Sequence, residues 1–190
     1  MMKYNTYNLG WLLSREEKKE NVKYLFFWGH TPSKDGSVSK SCFSQWWQSA
    51  FEVDHVRYAT AEHWMMAQKA VLFSDREMLE KILVAKSPAE AKKLGRKVRN
   101  FDPKVWGENC FDIVCEGNYH KFSQHPDLKA FLLDTKDRVL VEASPMDRIW
   151  GIGMAQSHEH AENPRLWKGS NLLGFALMEV RDRLDGIIDN

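Results

Sequence analysis

The chain has 190 residues, of which 43% are hydrophobic and 28% are charged, values that are typical of one soluble globular domain. Lys and Arg (27 residues) nearly balance Asp and Glu (26 residues), so the overall charge gives no reason to expect a polyanion-binding protein, and any phosphate site must be local. The three cysteines lack the spacing of a zinc site or disulfide framework, and no apolar run could span a membrane, which predicts a cytoplasmic protein without a membrane partner.

The first sixty residues contain few helix signals. The run SREEKKEN is polar on every side, and Ser14 and Glu17 have capping-box spacing, which predicts a short exposed helix. The aromatic-rich run KYLFFW indicates a buried strand, and the Pro, Gly and Ser residues of HTPSKDGSVSKS indicate a loop. Apolar and polar residues alternate on both sides of Asp54-His55, which indicates a hairpin. The predicted elements are a peripheral segment over residues 1–23, a strand over 23–28, a loop over 30–41 and a hairpin over 50–58.

Helix signals dominate the rest of the chain. Thr60 is predicted to cap a helix that carries the run AEHWMMAQKA. Two further helices are predicted to start at capping boxes, one formed by Ser74 with Glu77 and one by Ser87 with Glu90. Another helix is predicted to start at Asp102-Pro103. The remaining predicted elements are helices over 125–135 and 171–184 and a strand over 138–144. No repeat or linker divides this pattern. It predicts a helix-rich α+β single domain with a small β-hairpin or sheet element.

Two ionisable residues stand out in the helix after Thr60. Glu62 and Lys69 are seven residues apart, which places them on one helical face about two turns apart, too far for a direct ion pair. Their neighbours include Met65 and Met66, so a solvated face explains the pair poorly. In partly apolar surroundings an amine becomes a better nucleophile and a carboxyl group a better proton donor. Glu62 and Lys69 are therefore candidate catalytic residues.

A second cluster is the run EASPMDRIWGIG. Asp147 precedes Trp150 by three residues, and Gly151 and Gly153 would let the backbone approach a ligand beside the indole ring. A tight turn under a core tryptophan explains the same pattern equally well.

A third cluster is the run WKGSNLLG, which ends in the predicted last helix. Asn171 stands at the start of that helix, where unpaired N–H groups and the positive end of the helix dipole can hold a phosphate. An ordinary helix cap is the alternative interpretation.

Two further runs carry weaker signals. SHEHAEN contains His158 and His160 but no third ligand, so a solvated loop is a better interpretation than zinc, and we expect no metal. AKKLGRKVR is typical of a solvated basic face, although Arg96 could meet an anionic group of a ligand. We expect no bound cofactor.

Taken in chain order, seven blocks of the sequence resemble the NADAR or YbiA-like family of N-glycosidases. The blocks are FFWGH, CFSQWW, TAEHWMMAQKA, AKKLGRKVR, KFSQHPDLKAFLLDT, LVEASPMDRIWGIG and GSNLLGFALMEVR. The resemblance implies a YbiA-like fold and a domain over residues 24–190 that follows the peripheral segment 1–23. The family often has F-S-N-F where this chain has Phe43-Ser44-Gln45-Trp46, and a longer amide there would alter substrate contacts.

The resemblance implies an enzyme that hydrolyses the C1′–N bond between ribose and a base. The family's substrates are phosphoribosylaminopyrimidine intermediates of riboflavin synthesis and guanine that carries ADP-ribose, so the implied partner is a small ribosyl compound or ADP-ribosylated guanine in nucleic acid. Glu62, Lys69 and Asp147 match positions expected to act in catalysis. The implied substrate-binding residues are Phe27, Trp28, Phe43, Trp64, Arg96, Trp150, Gly151, Gly153 and Asn171. For each tryptophan a core position is an equally good interpretation.

Cleavage of the C1′–N bond puts positive charge on the ribose carbon and negative charge on the leaving base. In one route an uncharged Lys69 attacks C1′ and opens the ribose to a Schiff base, while Glu62 or Asp147 moves protons. In the other, a carboxylate activates water, and Lys69 holds a phosphate or a ribose hydroxyl. A competing class is a module that binds ADP-ribose or a nucleotide without cleavage, which would have no reason to keep Glu62 and Lys69 in a hydrophobic helix.

Overall fold

The computed structural model describes Tyr4 and residues 6–186. Its described residues form seven α-helices, four strands and two short 3₁₀ turns. The helices are α1 (Leu9–Glu17), α2 (Ala61–Leu72), α3 (Arg76–Leu83), α4 (Pro88–Gly95), α5 (Pro103–Gln124), α6 (Pro126–Leu133) and α7 (Leu172–Leu184). The strands are β1 (Tyr24–Phe27), β2 (Phe51–Val53), β3 (Val56–Tyr58) and β4 (Val139–Glu142), and the turns are Lys40–Phe43 and Pro164–Leu166.

These elements belong to two compact units, of which the first comprises Met1–Ser44 and Pro126–Asn190. In unit 1, β1 pairs in parallel with β4, with Phe27 opposite Glu142. Helix α7 packs on β4, where Gly174 lies so close to Leu140 that a Cβ would be 2.1 Å from its carbonyl oxygen. Because parallel strands end at the same edge, the segments that follow Phe27 and Glu142 begin side by side.

Unit 2, Gln45–His125, combines a hairpin with four helices. The hairpin strands β2 and β3 are antiparallel, and the turn residues Asp54 and His55 both have left-handed backbone angles, as a tight two-residue hairpin turn requires. Helix α2 lies close to both α4 and α5. A Cβ on Gly95 would be 2.0 Å from Met66 Sδ, and one on Gly117 would be 2.3 Å from Trp64 Cδ1.

The predicted helix-rich α+β fold class is confirmed, as are the strands, the hairpin and most helices, but two helix starts were wrong. Helix α1 begins at Leu9 and is capped by Asn8 rather than Ser14, because its apolar residues precede SREEKKEN and bury Leu12. Helix α3 is capped by Asp75, whose carboxylate accepts from the Met78 N–H at 3.2 Å. Ser74 has φ +56°, a left-handed angle rather than the extended one of an N-cap.

The capping box at Ser87 is confirmed on one side, since its hydroxyl accepts from the Glu90 N–H at 3.2 Å. The Glu90 carboxylate instead accepts from the Lys86 N–H. None of the helices within residues 6–186 is long and apolar enough to cross a bilayer. The boundary at residue 24 stays a prediction.

Candidate active site

Glu62 and Lys69 lie on helix α2 of unit 2. Thr60 caps this helix as predicted and accepts from the His63 N–H at 3.4 Å. Every side chain from Ala61 to Ala67 is buried. A solvated face is therefore the wrong explanation for Glu62, which is 2% exposed.

The backbone of Glu62 is held by Gln45, the residue that departs from the family pattern. The Glu62 N–H donates to the Gln45 carbonyl at 3.0 Å. The buried Gln45 side chain in turn accepts from Asn118 Nδ2 at 2.9 Å, and the same Nδ2 donates to the Val114 carbonyl. These contacts connect the start of α2 to α5. Gln45 therefore supports the position of Glu62, and its effect on substrate contacts stays a prediction.

Lys69 is half-buried, and aromatic rings surround its amine. Lys69 Nζ lies 4.0 Å from the centre of the Phe101 ring and 5.4 Å from that of Trp106. Among the described residues no carboxylate lies within ion-pair distance of this amine. Burial lowers the pKa of Lys69 below its ordinary value, although the ring faces favour the ammonium form. Because burial determines the net direction, α2 supplies an amine that loses its proton more easily than a surface lysine.

Trp64 fills a closely packed part of unit 2. Its Nε1 donates to the Ile113 carbonyl at 2.7 Å, and its ring centre lies 5.0 Å from that of Tyr58. With 8% exposure and no space toward Gly117, Trp64 has the contacts of a core residue. Its predicted role in substrate binding stays a prediction.

Arg96 follows Gly95 directly at the end of α4 and is exposed. The contact of Gly95 with Met66 fixes where α4 ends relative to α2. Arg96 thus leaves a fixed backbone position with its guanidinium in solvent. Binding of an anionic group by Arg96 stays a prediction.

The aromatic candidates of unit 1, which lie at the end of β1 and in the turn Lys40–Phe43, have different environments. Phe27 and Phe43 are buried, and their rings meet edge to face at 5.4 Å. Trp28 is 62% exposed. Phe27 and Phe43 therefore belong to the core of unit 1, whereas Trp28 is the aromatic residue that a ligand can reach. Their predicted ligand contacts are untested.

Asp147 organises the turn that follows β4. Its Oδ1 accepts from the N–H groups of Ile149 and Trp150 at 2.9 and 2.8 Å, and its carbonyl accepts from the Gly153 N–H. One carboxylate oxygen is therefore committed to local structure. The second oxygen is the one that a catalytic role would use, and that role stays a prediction.

Gly151 and Gly153 are each required in this turn for a different structural reason. A Cβ on Gly151 would lie 2.8 Å from the Glu142 carbonyl oxygen, so this glycine is required by the chain's own backbone. Gly153 has φ +67°, which favours glycine, and its Cβ position faces Lys168 and Arg148. A tight turn thus accounts for Gly151, and the ligand contacts predicted for both residues stay predictions.

Asn171 occupies the N-cap position of α7, but its side chain makes no capping hydrogen bond to the helix. Its Oδ1 accepts from the Glu142 N–H, and its Nδ2 donates to the Leu140 carbonyl, both at 2.9 Å. The N–H groups of Leu172 and Leu173 donate to carbonyls of the preceding turn, at 3.2 and 3.1 Å. The expectation of unpaired N–H groups for a phosphate was therefore wrong for these positions, because the turn after Asp147 already accepts them.

Two features of unit 2 were missed by the sequence analysis. Phe101 and Trp106 surround the Lys69 amine, and no local pattern in the sequence indicates this pairing. Lys121 on α5 is fully buried, with Nζ 5.1 Å from the centre of the Phe122 ring. Helical spacing would have indicated its burial, since Lys121 follows the buried Gly117 by four residues.

The histidine pair of SHEHAEN forms a turn contact. The His160 N–H donates to His158 Nδ1 at 3.1 Å. Within Tyr4 and residues 6–186, no group of three or more His, Cys, Asp or Glu side chains is placed to hold a metal ion.

Comparison with known proteins identifies the family. The NADAR domain matches residues 26–185, which include parts of both units. N-glycosidase R617 of Acanthamoeba polyphaga mimivirus is 43% identical over 168 residues, covering 86% of this chain and 97% of the relative. The riboflavin biosynthesis protein PYRR of Zea mays is 34% identical over 142 residues, which are 71% of this chain but 21% of that protein.

A solved structure supports the same assignment. The NMR structure of Escherichia coli YbiA matches with a TM-score of 0.68 at 29% identity, over 88% of this chain and 89% of that chain. The E. coli protein is named N-glycosidase YbiA. The fold prediction and the prediction of a hydrolase that acts on N-glycosyl compounds are therefore confirmed at the level of class. The chain belongs to the NADAR domain family.

Proposed function

We propose that this chain hydrolyses the C1′–N bond of a ribosyl substrate with the amine of Lys69 as nucleophile. The observation that carries the proposal is the position of this amine, which is half-buried among aromatic rings, has no carboxylate within ion-pair distance and has a lowered pKa. A lysine that loses its proton more easily than a surface lysine is suited to covalent catalysis at a carbon that becomes electron-poor.

In the first step Lys69 Nζ forms a bond to C1′ while the C1′–N bond to the base breaks. The base leaves with the electron pair of that bond and takes a proton from a carboxyl group. Glu62, buried seven residues before Lys69 on α2, is the proposed donor. The ribose ring then opens to a Schiff base, and water adds to it, which releases ribose and restores the amine.

Asp147 is the second candidate for proton transfer, through the carboxylate oxygen that the turn leaves uncommitted. In the alternative mechanism a carboxylate activates water for direct attack on C1′, and Lys69 binds a phosphate or hydroxyl. The two routes differ in whether a covalent link to the enzyme forms.

We propose as substrates a phosphoribosylaminopyrimidine of riboflavin synthesis or guanine that carries ADP-ribose. The maize relative, named for riboflavin biosynthesis, supports the first. A binding module without catalysis is less well supported, because a pure binder gains nothing from a buried carboxylate and an amine of lowered pKa on one helix.

The test incubates the full chain with each substrate and measures released base by mass spectrometry, with and without sodium borohydride. The imine route predicts that borohydride inactivates the enzyme only with substrate present and adds the mass of a reduced ribosyl group at Lys69. The Lys69→Ala and Lys69→Arg variants should both lose base release. Lys81→Ala is the matched control, because Lys81 is an exposed lysine that pairs with Glu77 on α3.

Base release without trapping would favour direct attack by water. A folded chain that binds ADP-ribose but releases no base from either substrate would overturn the proposal and favour the binding module.

A further inference from the structure

Two loops of unit 1 cross with their backbones in contact. The Lys168 N–H donates to the Ile152 carbonyl, and the Ser170 N–H donates to the Arg148 carbonyl, both at 3.0 Å. Glycines at the crossing leave no room for a side chain, since a Cβ on Gly169 would lie 2.3 Å from a carbonyl oxygen of the other loop. The side chains that leave this crossing therefore start from a fixed backbone.

Arg148 and Lys168 leave the crossing beside the same glycine. A Cβ on Gly153 would lie 3.0 Å from Lys168 Cβ and 3.1 Å from Arg148 Cγ. Both residues are exposed. In the part of the chain that the structure describes, no carboxylate lies within ion-pair distance of either.

This pair differs from the cations of the chain that are already neutralised by a carboxylate. Several arginines elsewhere have carboxylate partners, namely Arg15 with Glu20, Arg76 with Glu80, Arg99 with Asp75 and Arg165 with Glu17. Two neighbouring cations without a partner repel each other, and an anion between them removes that cost. Asp147 on the same turn does not neutralise them, because among the described residues it makes no ion pair with Arg148 or Lys168, and its Oδ1 accepts from backbone N–H groups.

The first backbone N–H groups of α7 cannot bind the anion in place of these side chains. The N–H groups of Asn171, Leu172 and Leu173 already donate to carbonyls of the turn before Ile152. These three N–H groups are therefore not available to an anion, which leaves the exposed side chains of Arg148 and Lys168 as its candidate partners. Arginine offers a planar fork that fits a phosphate with two bonds, and lysine adds a point charge.

We propose that Arg148 and Lys168 form a phosphate subsite that holds a phosphate group of the ribosyl substrate. The identity of the ligand rests on the proposed function, because both proposed substrates carry phosphate on ribose. Arg148 lies on the turn that also carries Asp147 and Trp150, and Lys168 lies on the loop that crosses it. The pair would favour phosphorylated ribosides over neutral nucleosides.

The test measures binding independently of cleavage. Titration calorimetry on the full chain uses ribose 5-phosphate, ADP-ribose and neutral ribose as probes, at two salt concentrations. We expect Arg148→Ala and Lys168→Ala each to raise the Kd for ribose 5-phosphate about tenfold or more, the size expected for a lost charge-assisted contact. Arg148→Lys should lie in between, and ribose should not distinguish the variants. Lys18→Ala, an exposed lysine of the same unit, is the control.

The remaining outcomes separate the two proposals. Unchanged affinity for ribose 5-phosphate and ADP-ribose in the double variant, with an unchanged melting temperature, would overturn the subsite even if the chain cleaves its substrate. Arg148-dependent binding of ribose 5-phosphate by a chain that releases no base would support the subsite and overturn the proposed function. If the variants lost affinity for ADP-ribose alone, Arg148 and Lys168 would bind a diphosphate rather than the phosphate of ribose 5-phosphate.

Discussion

The amide of Asn171 joins β4 to α7 by donating to the carbonyl oxygen of Leu140 at 2.9 Å. The Oδ1 atom of the same amide accepts from the Glu142 N–H, so a single side chain satisfies two backbone groups of β4. A residue proposed from sequence as a ligand contact thus has a structural role that the local pattern does not reveal.

Replacing Asn171 by Ala should therefore destabilise unit 1. The change leaves the Leu140 carbonyl and the Glu142 N–H without their partner, and each stranded buried group costs about 1–3 kcal/mol. Urea denaturation should show this loss as a lower midpoint. Asn171→Asp should also destabilise, because a carboxylate oxygen would replace the amide NH2 group that donates to the Leu140 carbonyl. Wild-type stability in both variants would show that the two hydrogen bonds contribute nothing.

The carboxylate of Asp75 should make stability depend on acid pH. The Arg99 side chain donates to it at 2.6 and 3.1 Å, and this pairing lowers the pKa of Asp75 well below its usual range. The folded state therefore keeps the carboxylate charged when the unfolded chain, with a pKa of about 3.9, takes up a proton. The stabilisation is present above about pH 4 and is lost as pH falls through the folded-state pKa.

Asp75→Asn removes that charge while it keeps the size of the side chain. The melting temperature of the variant should lie below that of the parent at pH 7, and the difference should shrink steadily below pH 4. Glu80→Gln, which removes an exposed partner of Arg76, is the control and should change little. A constant difference from pH 7 to pH 2 would contradict the assigned pairing.

Trp64 and Trp150 should respond differently to substitution. Trp64→Phe loses the 2.7 Å hydrogen bond to the Ile113 carbonyl and leaves part of the indole's space empty, so we expect about 1–3 kcal/mol of lost stability with little change in kcat/KM. Trp150 is only half-buried, so Trp150→Ala should lower kcat/KM more than melting temperature if it contacts substrate. If Trp64→Phe lowered mainly kcat/KM and Trp150→Ala lowered mainly the melting temperature, Trp64 would be the substrate contact and Trp150 the core residue.

The sequence predicted features that depend on local chemistry. Thr60 as a cap, the hairpin at Asp54-His55 and the helix after Asp102 follow from patterns of a few residues. The burial of Glu62 followed from the apolar residues around it on one helix. What failed was the choice between neighbouring caps, since Ser74 and Asp75 are both good caps and backbone angles decide between them.

Contacts between distant segments were beyond the sequence. Phe101 reaches Lys69 from a segment 32 positions later in the chain, and the Gln45 carbonyl accepts from Glu62 across 17 positions. The role of Asn171 depends on β4, which precedes it by about thirty residues. Such pairs arise from how helices and strands pack, and no periodicity within one element records them.

The ring of Phe101 should tune the pH at which Lys69 becomes active. The ring lies 4.0 Å from Lys69 Nζ and favours the ammonium form, whereas burial favours the neutral amine. Phe101→Leu keeps an apolar neighbour but removes the attraction, which is about 0.5–2 kcal/mol between exposed and desolvated sites. The pKa of Lys69 should therefore fall in this variant.

Because the neutral amine is the nucleophile in the imine route, activity rises with pH through the Lys69 pKa. The rising limb of kcat/KM against pH should accordingly move to lower pH in Phe101→Leu, measured as base release over the whole pH range in which the chain stays folded. Phe111→Leu is the control, because Phe111 belongs to the same unit and its ring has no cation–π contact with Lys69. A limb that moves to higher pH would show that the ring acts on Lys69 by desolvation rather than by attraction. A limb that stays in place in Phe101→Leu would mean that another group titrates.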